Sequence, residues 1–340
     1  VGTVKNSEDE LRYLDELREC TLCEWRCGVD RLDEEEHGFC GITIPMVASS
    51  MLHPAPPASY DAFLVGCSFR CLFCQNWSIS NYPVNPCSRD IEGYYPPRKW
   101  AMQALDCLKS PRARFIGADR MFFTGGEPSC SLPWVEEVVR EARKIDPFVK
   151  VNFDTNGFLT KKSLARVLNF TSSITFDIKA YNEKIHRVLT GAPVEPVLRN
   201  AEYLGRKAKE KIWEFRIMVI PKIHDEEEIG SLCEFISDIG TDIPVCFLAF
   251  RPNFAMASYR GAYFDFMEHC VEVARKKGIE NVHWSGTVDI QGENPDLQGI
   301  DLLHYYSKKG GCIRKRGRDC ENCFNRNSCM VKKHVPFRST

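Results

Sequence analysis

Cys67, Cys71 and Cys74 place three thiols in eight residues, spaced CxxxCxxC and followed by Gln75-Asn76-Trp77. They stand where a short apolar run, Asp61 to Gly66, stops. Three thiols just beyond a strand can bind three irons of one [4Fe-4S] cluster, with no nearby cysteine for the fourth iron. A cluster closed by four cysteines mainly moves electrons, whereas an open iron can take a ligand and do chemistry. A zinc knot or chance crowding of cysteines fits the same spacing, and spacing alone leaves these readings comparable.

Cysteine usage is the outlying feature of the composition: 17 in 340 residues, an odd number. With no secretory signal visible, that argues against a disulfide scaffold and for metal-binding thiols in a reducing compartment. The cysteines cluster as Cys20, Cys23, Cys27 and Cys40, then Cys67, Cys71 and Cys74, then Cys312, Cys320, Cys323 and Cys329. The singletons Cys107, Cys233, Cys246 and Cys270 lie in apolar patterns and read as small core residues. Cys87 and Cys130 lie in loops and receive no assignment. The first group, four thiols in paired knuckles with glycines between, is a tetrahedral set for zinc or iron, and spacing does not choose between these metals. Charge is nearly balanced, at a net of -1, so bulk electrostatics name no partner. No apolar run approaches a membrane span, and residues 1–19 are charged and helical rather than signal-like; the expected location is the cytoplasm.

Two periodicities position these residues. Glu8 to Glu19 reads as an amphipathic helix with Leu11, Leu14 and Leu17 on one face. Prolines 54, 56 and 57 then mark a linker. From Asp61, β-rich runs alternate with helical segments six times. The strands read Asp61–Cys67, Arg120–Gly125, Lys150–Thr155, Ser173–Lys179, Ile212–Ile220 and Ile243–Phe250. The helices read Lys99–Lys109, Leu132–Ile145, Lys161–Leu168, Glu195–Lys209, Asp225–Ile239 and Tyr263–Lys277. Near-continuous apolar strands alternating with helices mean an α/β fold with a parallel sheet, either doubly wound or a partial barrel. In both, the active site lies at the strand C-terminal ends, where the suggestive residues fall. After Gly278 the rhythm is lost, with one further candidate strand before residue 294. The expected division is an N-terminal helix and four-cysteine knuckle (1–60), a β/α body (61–280) and a Cys-rich extension (281–340).

The second strand ends in Thr124-Gly125-Gly126-Glu127-Pro128, where paired glycines allow close approach to the backbone and Glu127 offers a carboxylate to an ammonium group. One β/α unit after CxxxCxxC, this turn completes a pattern that resembles the radical S-adenosylmethionine (SAM) superfamily. Phe73, just before the last cysteine, fits it as well. Asp154-Thr-Asn156-Gly157, the segment Phe176 to Gly191 and Phe215-Arg216 to Pro221 resemble glycyl-radical-enzyme activases, of the pyruvate formate-lyase activating type, over roughly Ala62 to Arg251. The N-terminal knuckle with Cys74-Gln-Asn-Trp77 resembles a less characterised branch of activase-like proteins.

The resemblance implies a partial (β/α)6 barrel with small Cys-rich metal-binding extensions at both ends. It implies that Cys67, Cys71 and Cys74 hold a [4Fe-4S] cluster whose open iron binds SAM, and that the Gly125–Glu127 turn receives the SAM ammonium. Phe73, Asp154, Asn156, Asp177 and Lys179 fall where the family contacts SAM, and Arg216 matches an activase arginine. A structural ion pair is the bland reading of Asp177 and Lys179, which share a strand face. For Asp154 it is an Asx turn. His186 reads as a helix residue fixing a loop. Two positions depart from the activase pattern: Leu248-Ala-Phe-Arg251-Pro252 lacks a histidine common there, and Lys222 stands where glycine often follows the Ile-Pro pair.

The implied chemistry is one-electron cleavage of SAM to a 5′-deoxyadenosyl radical that abstracts hydrogen, here from a protein or peptide. A flavodoxin- or ferredoxin-type donor would supply the electron. Cys312, Cys320, Cys323 and Cys329 resemble a reduced form of the auxiliary-cluster segment of peptide-modifying members; a zinc ribbon is the alternative. Cobalamin-dependent C-methylation is an alternative activity, since cobalamin could bind without a separate domain. An RNA-modifying enzyme is disfavoured: the basic run Lys308, Lys309, Arg314, Lys315, Arg316 and Arg318 lacks interleaved aromatics. A non-catalytic iron–sulfur carrier would have no need of the GGEP turn.

Overall fold

The computed structural model describes residues 8–33, 35–80 and 91–309. Cys87, the group Cys312, Cys320, Cys323 and Cys329, and the basic run beyond Lys309 lie outside the described residues.

Eight strands form a mostly parallel sheet ordered as in the sequence: β1 (Val47–His53), β2 (Ser59–Leu64), β3 (Arg120–Gly125), β4 (Lys150–Thr155), β5 (Ser173–Asp177), β6 (Ile212–Val219), β7 (Val245–Ala249) and β8 (Val282–Ser285). The six β/α units expected from the sequence are present as β2 to β7 with their helices. Two strands extend them, β1 running antiparallel to β2 and β8 parallel to β7. Helices at Pro111–Ile116 and Glu183–Thr190 add to the six expected, the latter placing His186 on a helix as read from the sequence, and Gly299–Lys309 follows β8. The first carries Pro at its start after an Ser110 cap, and the second an Asn182 side chain accepting the Lys184 and Ile185 N–H groups.

Glu8–Glu19 is a 3₁₀ helix. Leu14 and Leu17 are fully buried and Cys20 follows at the same interval. A spacing of three eclipses side chains only at three residues per turn, so the leucine pattern suits this tighter helix.

The chain divides into two compact units. One holds residues up to Ser68 with Ser78–Asp154 and Leu159–Ser173; the other holds Phe69–Trp77, Thr155–Phe158 and the residues from Ile174 on. In the first, Phe123 of β3 is in register with Phe153 of β4; in the second, Phe176 of β5 with Phe215 of β6. All four rings are fully buried. β-Propensity and burial thus agree at the centre of each strand.

Gly157, at φ +75°, closes the turn after β4; a Cβ there would lie 2.2 Å from Phe176 Cζ. Gly157→Ala is expected to lower stability by about 2–4 kcal/mol, adding overpacking to left-handed strain. Gly117→Ala, at φ +74° with nothing within 4 Å, should lose only the strain part, about 1 kcal/mol. Equal shifts of the two urea midpoints would contradict the Phe176 contact.

Asp61 on β2 is 3% exposed and accepts the Ser59 hydroxyl at 2.6 Å. Burial pushes its carboxyl up to about 7, with Ser59 opposing and Asp154 adding to the rise. Between its unfolded pKa of about 4 and the folded value, the folded chain holds a proton that the unfolded chain has lost. This contribution to stability therefore falls as pH rises through that window and is flat above it. Asp61→Asn removes the slope. Its Tm advantage over the unsubstituted chain should grow from pH 5 to pH 8 in thermal melts; a constant or shrinking difference contradicts the buried carboxyl.

Candidate functional site

The first unit presents Cys67 beside a seam of main chain. Gly126 N–H donates to the Leu64 carbonyl and Glu127 N–H to the Gly66 carbonyl, each at 2.8 Å. The turn after β3 is thereby stitched onto the end of β2, one residue before Cys67. Glycine is required on both sides. A Cβ on Gly126 would sit 1.9 Å from Gly66 O, and one on Gly125 (φ +110°) 2.3 Å from Leu64 N. Glu127 is buried, and its Oε1 accepts the Ser129 N–H at 3.1 Å, capping the 3₁₀ turn Pro128–Ser131. In the same unit Thr124 Oγ1 donates to Asp154 Oδ2 at 2.7 Å, so the Asp154 carboxylate is oriented across two strand ends. The Asx turn belongs to Asn156 instead, whose Oδ1 accepts the Phe158 N–H at 3.0 Å in the second unit.

The second unit begins within the motif, at Phe69, and holds Cys71 and Cys74. This loop is anchored on the helix Glu183–Thr190. Arg70 N–H donates to Thr190 O at 2.7 Å and Leu72 N–H to Leu189 O at 3.0 Å. Helix ends leave their last carbonyls unpaired, and Gly191 at φ +84° turns the chain away so that these two face the loop. Ala255 N–H donates to Leu72 O at 3.0 Å, and Trp77 stacks on Phe254. His186 is fully buried, with Nδ1 2.8 Å from Ala192 O and its ring edge-on to Phe69. Burial lowers its pKa to about 4 against the pull of the Ala192 carbonyl, so at neutral pH it is an uncharged prop for the loop.

Asp177 and Lys179 form the anticipated pair, Nζ to Oδ2 at 2.7 Å, and the Lys179 ammonium lies 5.8 Å from the Phe73 ring centroid. Burial pushes the Cys71 thiol up to about 12; Lys179 opposes this, while Cys74 and Asp177 add to it. Cys71, Phe73, Cys74, Asp177 and Lys179 are therefore one neighbourhood. Arg216, in register with Asp177, pairs through Nε with Glu214 at 3.1 Å. Glu214, Cys246 and His283 each bring a ligand-type atom within 4.8 Å of the others, on adjacent strands β6, β7 and β8. Cys246 is buried as expected, though among polar neighbours on one side. Lys222 has φ +64°, the conformation that suits the glycine usual at this position. Its Nζ donates to Pro295 O at 2.8 Å and its carbonyl accepts the Gly299 N–H at 2.6 Å, contacts that hold a side chain in a strained backbone.

The knuckle thiols influence one another, though among the described residues no three of their sulfurs lie within 4.8 Å of one another. Burial raises Cys23 well above its ordinary range, with Cys40, Cys20 and Cys27 as further contributors. Two residues that the sequence did not single out join them. Cys130, held well above its usual pKa by a hydrogen bond with Cys40 and by burial, lies in the apolar cluster of Cys40, Ile42, Ala48 and Val65. Arg31 is fully buried beside Cys20. The only hint of Cys130 in the sequence is its place two residues after GGEP.

The first unit holds one motif thiol, Cys67, and an oriented carboxylate, and the second holds two thiols with a lysine–aspartate pair beside Cys71; these donor types suit an iron–sulfur cluster and a charged cofactor. The Radical SAM superfamily model matches residues 62–236. Uncharacterized protein MJ0674 of Methanocaldococcus jannaschii is 24% identical over 276 residues, covering 78% of this chain and 77% of that protein. Pyruvate formate-lyase 1-activating enzyme of Escherichia coli (strain K12) is 27% identical over 190 residues, covering 54% of this chain and 71% of the enzyme. Among solved structures, a domain of pyruvate-formate lyase-activating enzyme from Bacteroides vulgatus aligns with 48% of this chain and 98% of its own, at 17% identity and a TM-score of 0.39. The family match runs from β2 into the helix Glu226–Ile239, taking in the cysteine loop, the glycine seam and the Asp177–Lys179 pair, and this chain belongs to the radical SAM superfamily.

Proposed function

We propose that this radical SAM enzyme abstracts hydrogen from a protein or peptide, using a [4Fe-4S] cluster on Cys67, Cys71 and Cys74. The observation that carries the reading is the neighbourhood of Cys71, Cys74, Phe73, Asp177 and Lys179 on a loop fixed by main-chain bonds. When bound, cluster and SAM supply one-electron cleavage of the sulfonium and a 5′-deoxyadenosyl radical.

The chain's own residues bind and orient. The Gly125–Glu127 turn takes the SAM ammonium, its shape fixed by the seam to Gly66. Asp154, held by Thr124, and Asn156 address the polar groups of the cofactor. Lys179, neutralised in part by Asp177, would pair with the SAM carboxylate. Arg216 lies one strand further, paired with Glu214. Supporting a protein or peptide substrate is the relative named for activating another enzyme, pyruvate formate-lyase.

Anaerobically reconstituted protein with a reductant should convert SAM to 5′-deoxyadenosine. Cys71→Ala should reduce the rate at least 100-fold, about 3 kcal/mol or more in barrier; undiminished product sinks the reading. Gly126→Ala, driven against the Gly66 carbonyl, should lose at least tenfold. For the substrate class, deuterated host extract is split by size and deuterium in 5′-deoxyadenosine is measured by mass spectrometry. Label is expected from the protein and peptide fraction; label from the small-molecule fraction alone overturns the substrate assignment.

A further inference from the structure

Strands β6, β7 and β8 carry, one apiece, a carboxylate, a thiol and an imidazole on a single face of the sheet in the second unit. Cys246 of β7 is in register with Arg216 of β6 on one side and His283 of β8 on the other. In-register neighbours on adjacent strands share a face, and Glu214, two residues before Arg216, joins them by the twofold strand period. One ligand atom from each of Glu214, Cys246 and His283 lies within 4.8 Å of the other two. Among the described residues no other three His, Cys, Asp or Glu side chains converge so closely.

Packing alone does not call for this set. The opposite face of the same strands is apolar, with Phe215, Val245 and Phe247 fully buried. Cys246 is 2% exposed, yet its thiol has only a remote acceptor, Phe247 O at 3.9 Å. Arg216 Nε donates to Glu214 Oε1 at 3.1 Å. A bond of that kind orients a ligating carboxylate, and it engages only one of the two oxygens. His283 is exposed, and among the described residues neither of its ring nitrogens makes a hydrogen bond.

We propose that Glu214, Cys246 and His283 bind zinc or a similar divalent ion, as a centre with three protein ligands and one open position. Sulfur, nitrogen and oxygen donors together suit zinc, whereas magnesium and calcium take oxygen alone. Binding displaces the Cys246 proton, and thiolate and carboxylate then cancel the two charges of the ion, so the filled centre is neutral. Tetrahedral zinc holds its ligand atoms about 3.3–3.6 Å apart, given its bond lengths to sulfur, nitrogen and oxygen. The exposed His283 ring is free to turn and close that difference. The fourth position takes water or a donor group of a substrate, as in zinc centres that act as Lewis acids. The row continues through Arg216 to Asp177 of β5. At the spacing of adjacent strands, Cys246 lies two strands, about 10 Å, from Asp177. The centre shares no ligand with the cysteine motif, and the assignment does not depend on SAM chemistry.

The full-length chain, purified anaerobically, is equilibrated with cadmium for NMR and separately with zinc for metal analysis. Cadmium should give a resonance from a one-sulfur centre, upfield of any from the sulfur-rich cysteine groups, and it should vanish in His283→Ala and in Cys246→Ala. Its absence from the unsubstituted chain, or its persistence in either variant, overturns the site. Zinc retained after dialysis should be one equivalent lower in His283→Ala than in the unsubstituted chain; equal retention also overturns it. His283 is exposed, so this variant reads the site without disturbing the buried row, whatever Cys246→Ala does to folding. Glu214→Gln should weaken zinc binding at least tenfold in competition with a chromophoric chelator, and unchanged binding refutes the three-ligand centre. Formation of 5′-deoxyadenosine is measured in parallel, so failure of the radical reading does not imitate failure here.

Discussion

Two carbonyl groups at the end of the helix Glu183–Thr190 hold the cysteine loop. Leu189 O and Thr190 O would be orphans of helix termination, and the Arg70 and Leu72 N–H groups use them. Both bonds are main chain to main chain, so neither uses a side chain of the loop. Neither bond engages the Cys71 or Cys74 sulfur, and the Phe73 ring lies 5.8 Å from the Lys179 ammonium. The prop beneath is His186, kept neutral by burial and fixed by Ala192 O; a charged imidazole there would need solvation that the site lacks.

The first unit follows the same logic at Gly66 and Gly125–Glu127. The seam there is again main chain, and it excludes any Cβ from Gly126. Asp154 in the first unit and the Asp177–Lys179 pair in the second are each already oriented by a partner. Orientation before binding reduces the entropy lost when a charged cofactor is captured.

Much of this was legible in the residue pattern. Strands β2 to β7 could be read because they are nearly continuous apolar runs, with Phe123, Phe153, Phe176 and Phe215 at their centres. β1 was not: Val-Ala-Ser-Ser-Met-Leu-His is half small or polar, as suits an edge strand with a half-exposed face. Lys222 stood out as a substitution for glycine, and its φ of +64° gives the reason that glycine suits the place. The Asx-turn role read for Asp154 falls to Asn156, because which of two neighbouring carboxamide or carboxyl groups reaches back depends on the backbone turn. Arg31 and Cys130 were opaque. Their contact spans 99 residues, and nothing local distinguishes a buried arginine from a solvated one.

The Trp25 indole, stacked on Phe39, donates to the Ser68 carbonyl at 2.8 Å. A knuckle residue therefore grips the peptide next to Cys67 from 43 positions away. Closing a loop of that length carries an entropic cost of about 3 kcal/mol, met only by a folded unit. The short cysteine motif is consequently not a transplantable module. Cut out as a peptide it would keep its three sulfurs but lose the grip on Ser68, and with it the geometry of the first of them.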